Sequence, residues 1–256
     1  MDLANLFSLK GRTALITGGS RGIGRMIAQA YLIQGARIYI SARGADACEQ
    51  TARELSELGH CVALPADVST LEGAQALRDA YAKHEDALDI LVNNAGAAWG
   101  AAYDEFPENG WDKVMDLNVK TPFFLTQLLT PLLRNATTHH LAKFIHIASV
   151  DGISVSPREI YSYAASKAGL IQLTRMMALR LAPERIVVSA IAPGAFATDM
   201  NKTARDHGEE VAAYIPLGRI GTPEDIAGAA VYLASRAGDY VVGSTLIVDG
   251  GDTHAR

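Results

Sequence analysis

Cysteine is nearly absent, with two residues in 256, Cys48 and Cys61. Their spacing suits neither a disulfide framework nor a metal cluster, so both read as small apolar residues in a reducing compartment. Long apolar runs are missing too, none approaching the ~18–20 residues that span a bilayer. The opening "MDLANLFSLKGRT" lacks the basic start and apolar core of a signal peptide, so a cytoplasmic protein is expected. There is no surplus of positive charge: 23 Lys and Arg against 28 Asp and Glu leave a formal net charge of −5. Nucleic-acid binding, which needs a basic face, is disfavoured, and so is attraction to anionic membranes. No repeat, low-complexity tract or Pro/Ser-rich linker divides the chain. Residues 1–256 are therefore read as one domain, a length at which α/β folds often stay undivided.

What the chain does have is alternation. The β-branched runs "TALIT" (13–17), "RIYIS" (37–41), "DILVNN" (89–94), "FIHIAS" (144–149), "IVVSAIAP" (186–193) and "STLIVDG" (244–250) are separated by longer helical patterns. The runs are mostly apolar throughout, as strands buried on both faces of a parallel sheet should be. Helices are expected in "DACEQTARELSEL", "LEGAQALRDAYAKH", "PFFLTQLLTPLLR", "AASKAGLIQLTRMMALRLA" and "PEDIAGAAVYLAS". Pro131 inside the third of these predicts a kink or an early end. Strand–helix alternation with right-handed crossovers gives an α/β, doubly wound parallel sheet. Residues 195–218 are polar and weakly periodic after a Pro-Gly pair, which marks them as a loop insertion of the kind that often covers a substrate.

"TGGSRGIG" (17–24) follows the first run and opens the first helical pattern. Glycines there let the backbone turn sharply and approach a pyrophosphate, while the helix N-terminus offers oriented N–H groups. A bare strand–helix turn would use the same glycines, and it is the place in the first βα unit that favours a cofactor. The end of the second strand carries Ala42 and Arg43, with no acid before Asp46. An acid there would bind the ribose of NAD, whereas arginine suits the 2′-phosphate of NADP. Arg21 is a second cation near the same place. NADPH is the expected cofactor.

In order along the chain stand "TGGSRGIG", "ADV" (66–68), "NNAG" (93–96), "LNV" (117–119), Ser149, "YAASK" (163–167), "APG" (192–194) and "VDGG" (248–251). Together they resemble the short-chain dehydrogenase/reductase family nearly end to end. The resemblance implies a Rossmann-type sheet ordered 3-2-1-4-5-6-7, helices on both faces, and a nicotinamide cofactor across its C-terminal edge. By position it implies a pyrophosphate turn from Gly18, Ser20, Arg21, Gly22, Ile23 and Gly24. Asp67 and Val68 should lie against the adenine. Asn94, Ala95 and Gly96 should follow beside the cofactor, with Asn93 steadying the sheet. Pro193, Gly194, Phe196 and Thr198 should border the nicotinamide. The catalytic set maps to Asn118, Ser149, Tyr163 and Lys167, the last two also touching the cofactor. No metal is implied.

The chemistry asked of that set is consistent with its spacing. Reduction of a ketone needs a hydride donor and an acid for the developing alkoxide. A free tyrosine has a pKa near ~10, so a nearby cation and a desolvated site are expected to bring it towards neutrality. Lys167 stands four residues after Tyr163, on the same helix face, whereas Tyr161 is six before it and faces elsewhere. Ser149 would donate to the substrate carbonyl, and Asn118 would hold a water that passes protons towards Lys167. Taken singly, each has a plain structural alternative: a strand-end cap, a kink residue, a surface pair.

Within the family the chain is most similar to the 3-oxoacyl-(acyl-carrier-protein) reductases, including the rhamnolipid-associated kind, through "AGAAWGA" (95–101), "GWDKVMDLNV" (110–119) and residues 135–142. The resemblance implies NADPH-dependent reduction of a 3-oxoacyl thioester, with a small-molecule or acyl-thioester substrate and acyl carrier protein as a candidate carrier. It also implies a homotetramer packed through the helices after the fourth and fifth strands. The alternatives are a sugar-acid dehydrogenase of the gluconate kind and, least favoured, a non-catalytic cofactor sensor. Trp99, Val155, Ala195 and Phe196 are expected to line the cleft, with Trp99 against an acyl chain. Arg134, Lys143, Arg175 and Arg180 are expected to form a local basic patch. His139 and His140 read as solvated loop, Trp111 and Met115 as packing, and Asp249 as structural.

Overall fold

The computed structural model describes residues 2–138 and 140–255, so His139 lies outside the described residues. The strands are β1 Thr13–Thr17, β2 Arg37–Ser41, β3 Cys61–Ala63, β4 Ile90–Asn93, β5 Ala142–Ile147, β6 Ile186–Pro193 and β7 Thr245–Val248. The helices are α1 Leu3–Leu6, α2 Gly22–Ile33, α3 Ala45–Leu55, α4 Leu71–Ala82, α5 Glu108–Met115, α6 Thr121–Ala136, α7 Tyr161–Leu181, α8 Lys202–Asp206, α9 Gly208–Ala212 and α10 Pro223–Ala234. The strands form one seven-stranded parallel sheet in the order β3-β2-β1-β4-β5-β6-β7. This is the Rossmann-type order expected.

Successive strand residues point to opposite faces, and each face buries its own core. On one face Ile16, Ile38, Ile40 and Val92 meet Ile27 and Tyr31 of α2, Leu55 of α3 and Ile226 of α10. On the other, Leu15, Tyr39, Leu91 and Phe144 meet Leu77 of α4, Leu125 and Leu129 of α6, and Met177 of α7. The all-apolar strand runs have their cause here, since both faces are covered. Cys48 is buried in the first core, and both cysteines are free thiols.

The early end expected at Pro131 does not occur. α6 runs through it to Ala136, because Leu125, Leu129, Leu133 and Ala136 form one fully buried stripe on both sides of the proline. Packing of that stripe outweighs the one lost backbone bond. Between α5 and α6, residues Asp116–Lys120 widen into a π-turn closed by the Thr121 N–H on the Asp116 carbonyl. Residues 195–218 are more regular than their weak periodicity suggests, forming α8 and α9. α8 is capped by Asn201, whose Oδ1 accepts the Ala204 N–H at 3.2 Å.

Candidate active site

The C-terminal ends of the strands open into a cleft of about 1830 Å³. β1 and β4 are neighbours whose following helices pass to opposite faces, the crevice at which open α/β sheets bind ligands. On the first wall, Gly18 (φ +64°) and Gly22 (φ +52°) hold left-handed backbone, which costs glycine nothing. A Cβ on Gly24 would stand 2.3 Å from the Gly18 carbonyl oxygen, so the turn closes only around glycine. Asn94 pins it from β4, its Nδ2 donating to the Thr17 and Gly18 carbonyls at 2.9 and 3.1 Å. The Ala95 N–H adds a bond to Thr17 Oγ1. α2 then starts without a side-chain cap, and Ser20, Gly22 and Ile23 line the cleft at its first turn. Uncapped N–H groups behind a glycine turn are what a pyrophosphate requires, so the residues present fit a dinucleotide.

Arg43, Asp67 and Val68 line the neighbouring stretch, and Gly96, Pro193, Gly194, Phe196 and Thr198 the far side. Burial works to raise the Asp67 carboxyl, yet the hydroxyl and N–H of Ser69, with Arg43 nearby, hold it below its ordinary value. Arg21 reaches Asp199 at 3.3 Å, and Arg205 holds the same carboxylate at 2.9 Å, linking the glycine turn to the 195–218 segment. Asn93 Nδ2 donates to Thr126 Oγ1 at 3.1 Å, tying β4 to α6. Gly24 and Asn118 do not line the cleft; both act from behind it.

The second wall carries the candidate catalytic groups. Ser149 follows β5, and the turn after it lies flat on α7, where a Cβ on Gly152 would meet the Lys167 carbonyl carbon at 2.6 Å. That close approach brings the Ser149 hydroxyl near Tyr163, whose ionised form it favours. Lys167 is buried, donates from Nζ to the Ile147 carbonyl at 2.7 Å, and sits 5.5 Å from the Tyr163 ring centroid. Burial, only partly offset by the nearby Ser149 hydroxyl, pushes Tyr163 up to about 12; Asp151 adds to the rise and Arg158 opposes it. The shift towards neutrality expected of Tyr163 is therefore reversed, because lost solvation outweighs what its neighbours return. Burial pulls Lys167 down to about 8 against the field of Asp151.

Asn118 lies in the π-turn, and its side chain is fully engaged. Oδ1 accepts from the Ala97 N–H at 2.8 Å, while Nδ2 donates to the Ala97 carbonyl and to Ser166 Oγ, each at 2.9 Å. Its main-chain carbonyl has no α-helical donor, because the residue four on is Pro122. Tyr161 packs edge-on between Tyr103 and Phe106, its hydroxyl turned to Glu159. It is Tyr163, not Tyr161, that lines the cleft.

Several expectations are corrected. Trp99 does not line the cleft: its ring lies on Gly110, where a Cβ would be 2.8 Å away, with Lys113 over its face. Phe196 does line the cleft, and its ring packs on Gly221. The basic patch does not form, because Lys143 is buried against Asp239 while Arg134 and Arg180 share Glu184. His140 is half-buried and paired with Asp89, not solvated. Val155 and Ala195 do line the cleft, and Asp249 is structural, accepting from the Gly251 and Thr253 N–H groups. Asp151 and Arg158 went unnoticed in the sequence; an acid two residues after a strand-end serine was the available signal.

A family model described as enoyl-(acyl carrier protein) reductase matches residues 18–253. The chain belongs to the short-chain dehydrogenase/reductase family. It is 49% identical over 249 residues to the rhamnolipids biosynthesis 3-oxoacyl-(acyl-carrier-protein) reductase of Pseudomonas aeruginosa, covering 96% of this chain and 97% of that one. The solved Pseudomonas aeruginosa RhlG/NADP active-site complex is 48% identical with a TM-score of 0.94, covering 97% and 99% of the two chains. A gluconate 5-dehydrogenase from Burkholderia cenocepacia, solved with NADP and tartrate, is 34% identical with a TM-score of 0.91 over the full length of both.

Proposed function

We propose that this chain uses NADPH to reduce a ketone to a secondary alcohol, and that the ketone is a 3-oxoacyl thioester yielding the 3-hydroxyacyl product. The observation that carries this reading is the meeting of Ser149, Tyr163 and Lys167 in the cleft that the glycine turn opens. The nicotinamide, when bound, supplies the hydride. Gly18, Ser20, Gly22 and Ile23 hold the pyrophosphate, and Arg43 the 2′-phosphate, with Asp67 and Val68 beside the adenine. Tyr163, protonated across the neutral range, gives its proton to the oxygen of the carbonyl being reduced. Ser149 donates to the same oxygen and holds it within reach. Lys167, with its pKa near about 8, is largely protonated at neutral pH and steadies Tyr163 as that proton leaves. The Asn118 carbonyl holds a water that returns protons towards Lys167, while its side chain fixes the π-turn.

The likeness to an acyl-carrier-protein reductase across nearly the whole chain supports the thioester reading, with a role in fatty acid biosynthesis or a related acyl pathway. The missing basic patch weighs against docking of an acidic acyl carrier protein, so a coenzyme A thioester is included in the proposal. Likeness to the gluconate 5-dehydrogenase supports a second reading, a dehydrogenase of a sugar acid. The whole chain is proposed to act as one domain, with residues 195–218 covering the substrate, as a cytoplasmic homotetramer. No helix of the described residues is long and apolar enough to cross a membrane. Turnover of NADPH and NADH with 3-oxoacyl thioesters of several lengths and with keto-sugar acids separates the readings. Thioester reduction is expected; reduction of a keto-sugar alone would establish the second reading instead.

A further inference from the structure

Beside Ser149, and outside the set described above, lies an ion pair facing the cleft. Asp151 Oδ2 accepts from Ser149 Oγ at 3.2 Å, while the Asp151 N–H donates back to that oxygen at 3.2 Å. Arg158 Nη2 spans both carboxylate oxygens at 2.9 and 3.0 Å. The Asp151 side chain is 10% exposed and that of Arg158 57%. Arg158 is itself held, Nε donating to Ser156 Oγ at 3.1 Å. Since Gly152 presses this turn onto the main chain of Lys167, the carboxylate has a fixed place relative to the candidate proton donor.

We propose that Asp151 is a positioning residue for the reduction, orienting the Ser149 hydroxyl, and that Arg158 is the counter-charge that holds Asp151. A carboxylate only accepts hydrogen bonds when ionised, so the Ser149 proton points at Asp151 until a substrate carbonyl takes it. The charge also acts at a distance: Asp151 favours the protonated forms of both Tyr163 and Lys167, and Arg158 acts on Tyr163 in the opposite sense. The other charged groups about this point are few. His146 of β5 is buried and held neutral, Lys113 of α5 and Asp116 of the π-turn line the cleft, and the facing wall carries Asp199, Lys202, Arg205 and Glu210.

This inference rests on the proposed reduction at Ser149 and Tyr163, and its test separates the two. In Asp151→Asn, the alkaline limb of kcat against pH moves down by about 0.5–1 unit, and in Arg158→Gln it moves up. Asp151→Glu, which keeps the charge, restores most of the limb. The same order appears without turnover: by NMR of 13C-labelled lysine, with Lys167→Arg to assign the signal, the Lys167 midpoint falls in Asp151→Asn. Opposed shifts with native circular dichroism establish the role. Unmoved limbs, shifts of one sign, or an unmoved Lys167 midpoint overturn it. Wild-type protein that reduces no ketone would sink the reductase reading instead, and the lysine titration would still decide on Asp151.

Discussion

Arg21 and Arg43 carry the same charge in different surroundings. Arg21 is drawn towards Asp199, which Arg205 also holds, whereas Arg43 lies exposed just after β2, on the stretch of the cleft that Asp67 and Val68 also line. Discrimination by phosphate should therefore rest on Arg43. Arg43→Asp is expected to raise the KM for NADPH at least tenfold while leaving that for NADH within about twofold, since one charge-assisted contact is lost and a ribose acceptor gained. Equal losses for the two cofactors, measured by steady-state kinetics, would remove Arg43 from the phosphate site. The charges about Tyr163 belong to the same scale. Its rise to about 12 keeps it protonated throughout the neutral range, as the proposed role of donor requires.

At the scale of elements, the glycine turn is the most constrained piece. Gly24→Ala would drive a methyl into the Gly18 carbonyl at 2.3 Å and Asn94 Nδ2 at 2.4 Å. Neither neighbour has room to yield, so the change should cost about 1–3 kcal/mol of stability and weaken NADPH binding, read by thermal unfolding and by calorimetry. Unchanged values in both would show that the turn is looser than drawn. Much of this layer was legible beforehand. β1, β2 and β6 have the bounds of their apolar runs, because strands covered on both faces announce themselves by composition. β3 was missed as a run because three half-buried residues make no pattern. The π-turn was invisible as well, being a matter of hydrogen-bond register. Ser149, Tyr163 and Lys167 were readable because helix spacing and strand ends are local properties. The places of Trp99 and Lys143 were not, since each is set by a partner in another element, Gly110 of α5 and Asp239 after α10.

At the scale of the whole molecule, charge buried between sheet and helices sets the response to pH. His146 on β5 is buried with Nδ1 on Thr174 Oγ1 at 2.8 Å, and burial lowers its pKa to about 3 from an ordinary 6.5. The unfolded chain therefore binds a proton between about pH 6.5 and 3 that the folded chain refuses. Stability is full above the unfolded value and falls as pH drops, by up to about 1.4 kcal/mol per unit from this group. His146→Gln should flatten the fall of the unfolding midpoint between pH 6.5 and 4, relative to wild type; parallel curves would clear His146 of any part. The proposed tetramer belongs here too. Light scattering is expected to return four times the 27.2 kDa chain mass, and a monomer would contradict it.

The central claim is that Tyr163 is the proton donor in a cofactor-binding cleft, and the paired variants Tyr163→Phe and Tyr161→Phe test it most directly. Turnover with a ketone that the wild-type protein reduces should be measured beside NADPH affinity for each. Loss of at least about a hundredfold in kcat for Tyr163→Phe, with NADPH affinity kept and Tyr161→Phe within about threefold of wild type, is the predicted result. Full activity in Tyr163→Phe, or the larger loss in Tyr161→Phe, would contradict it.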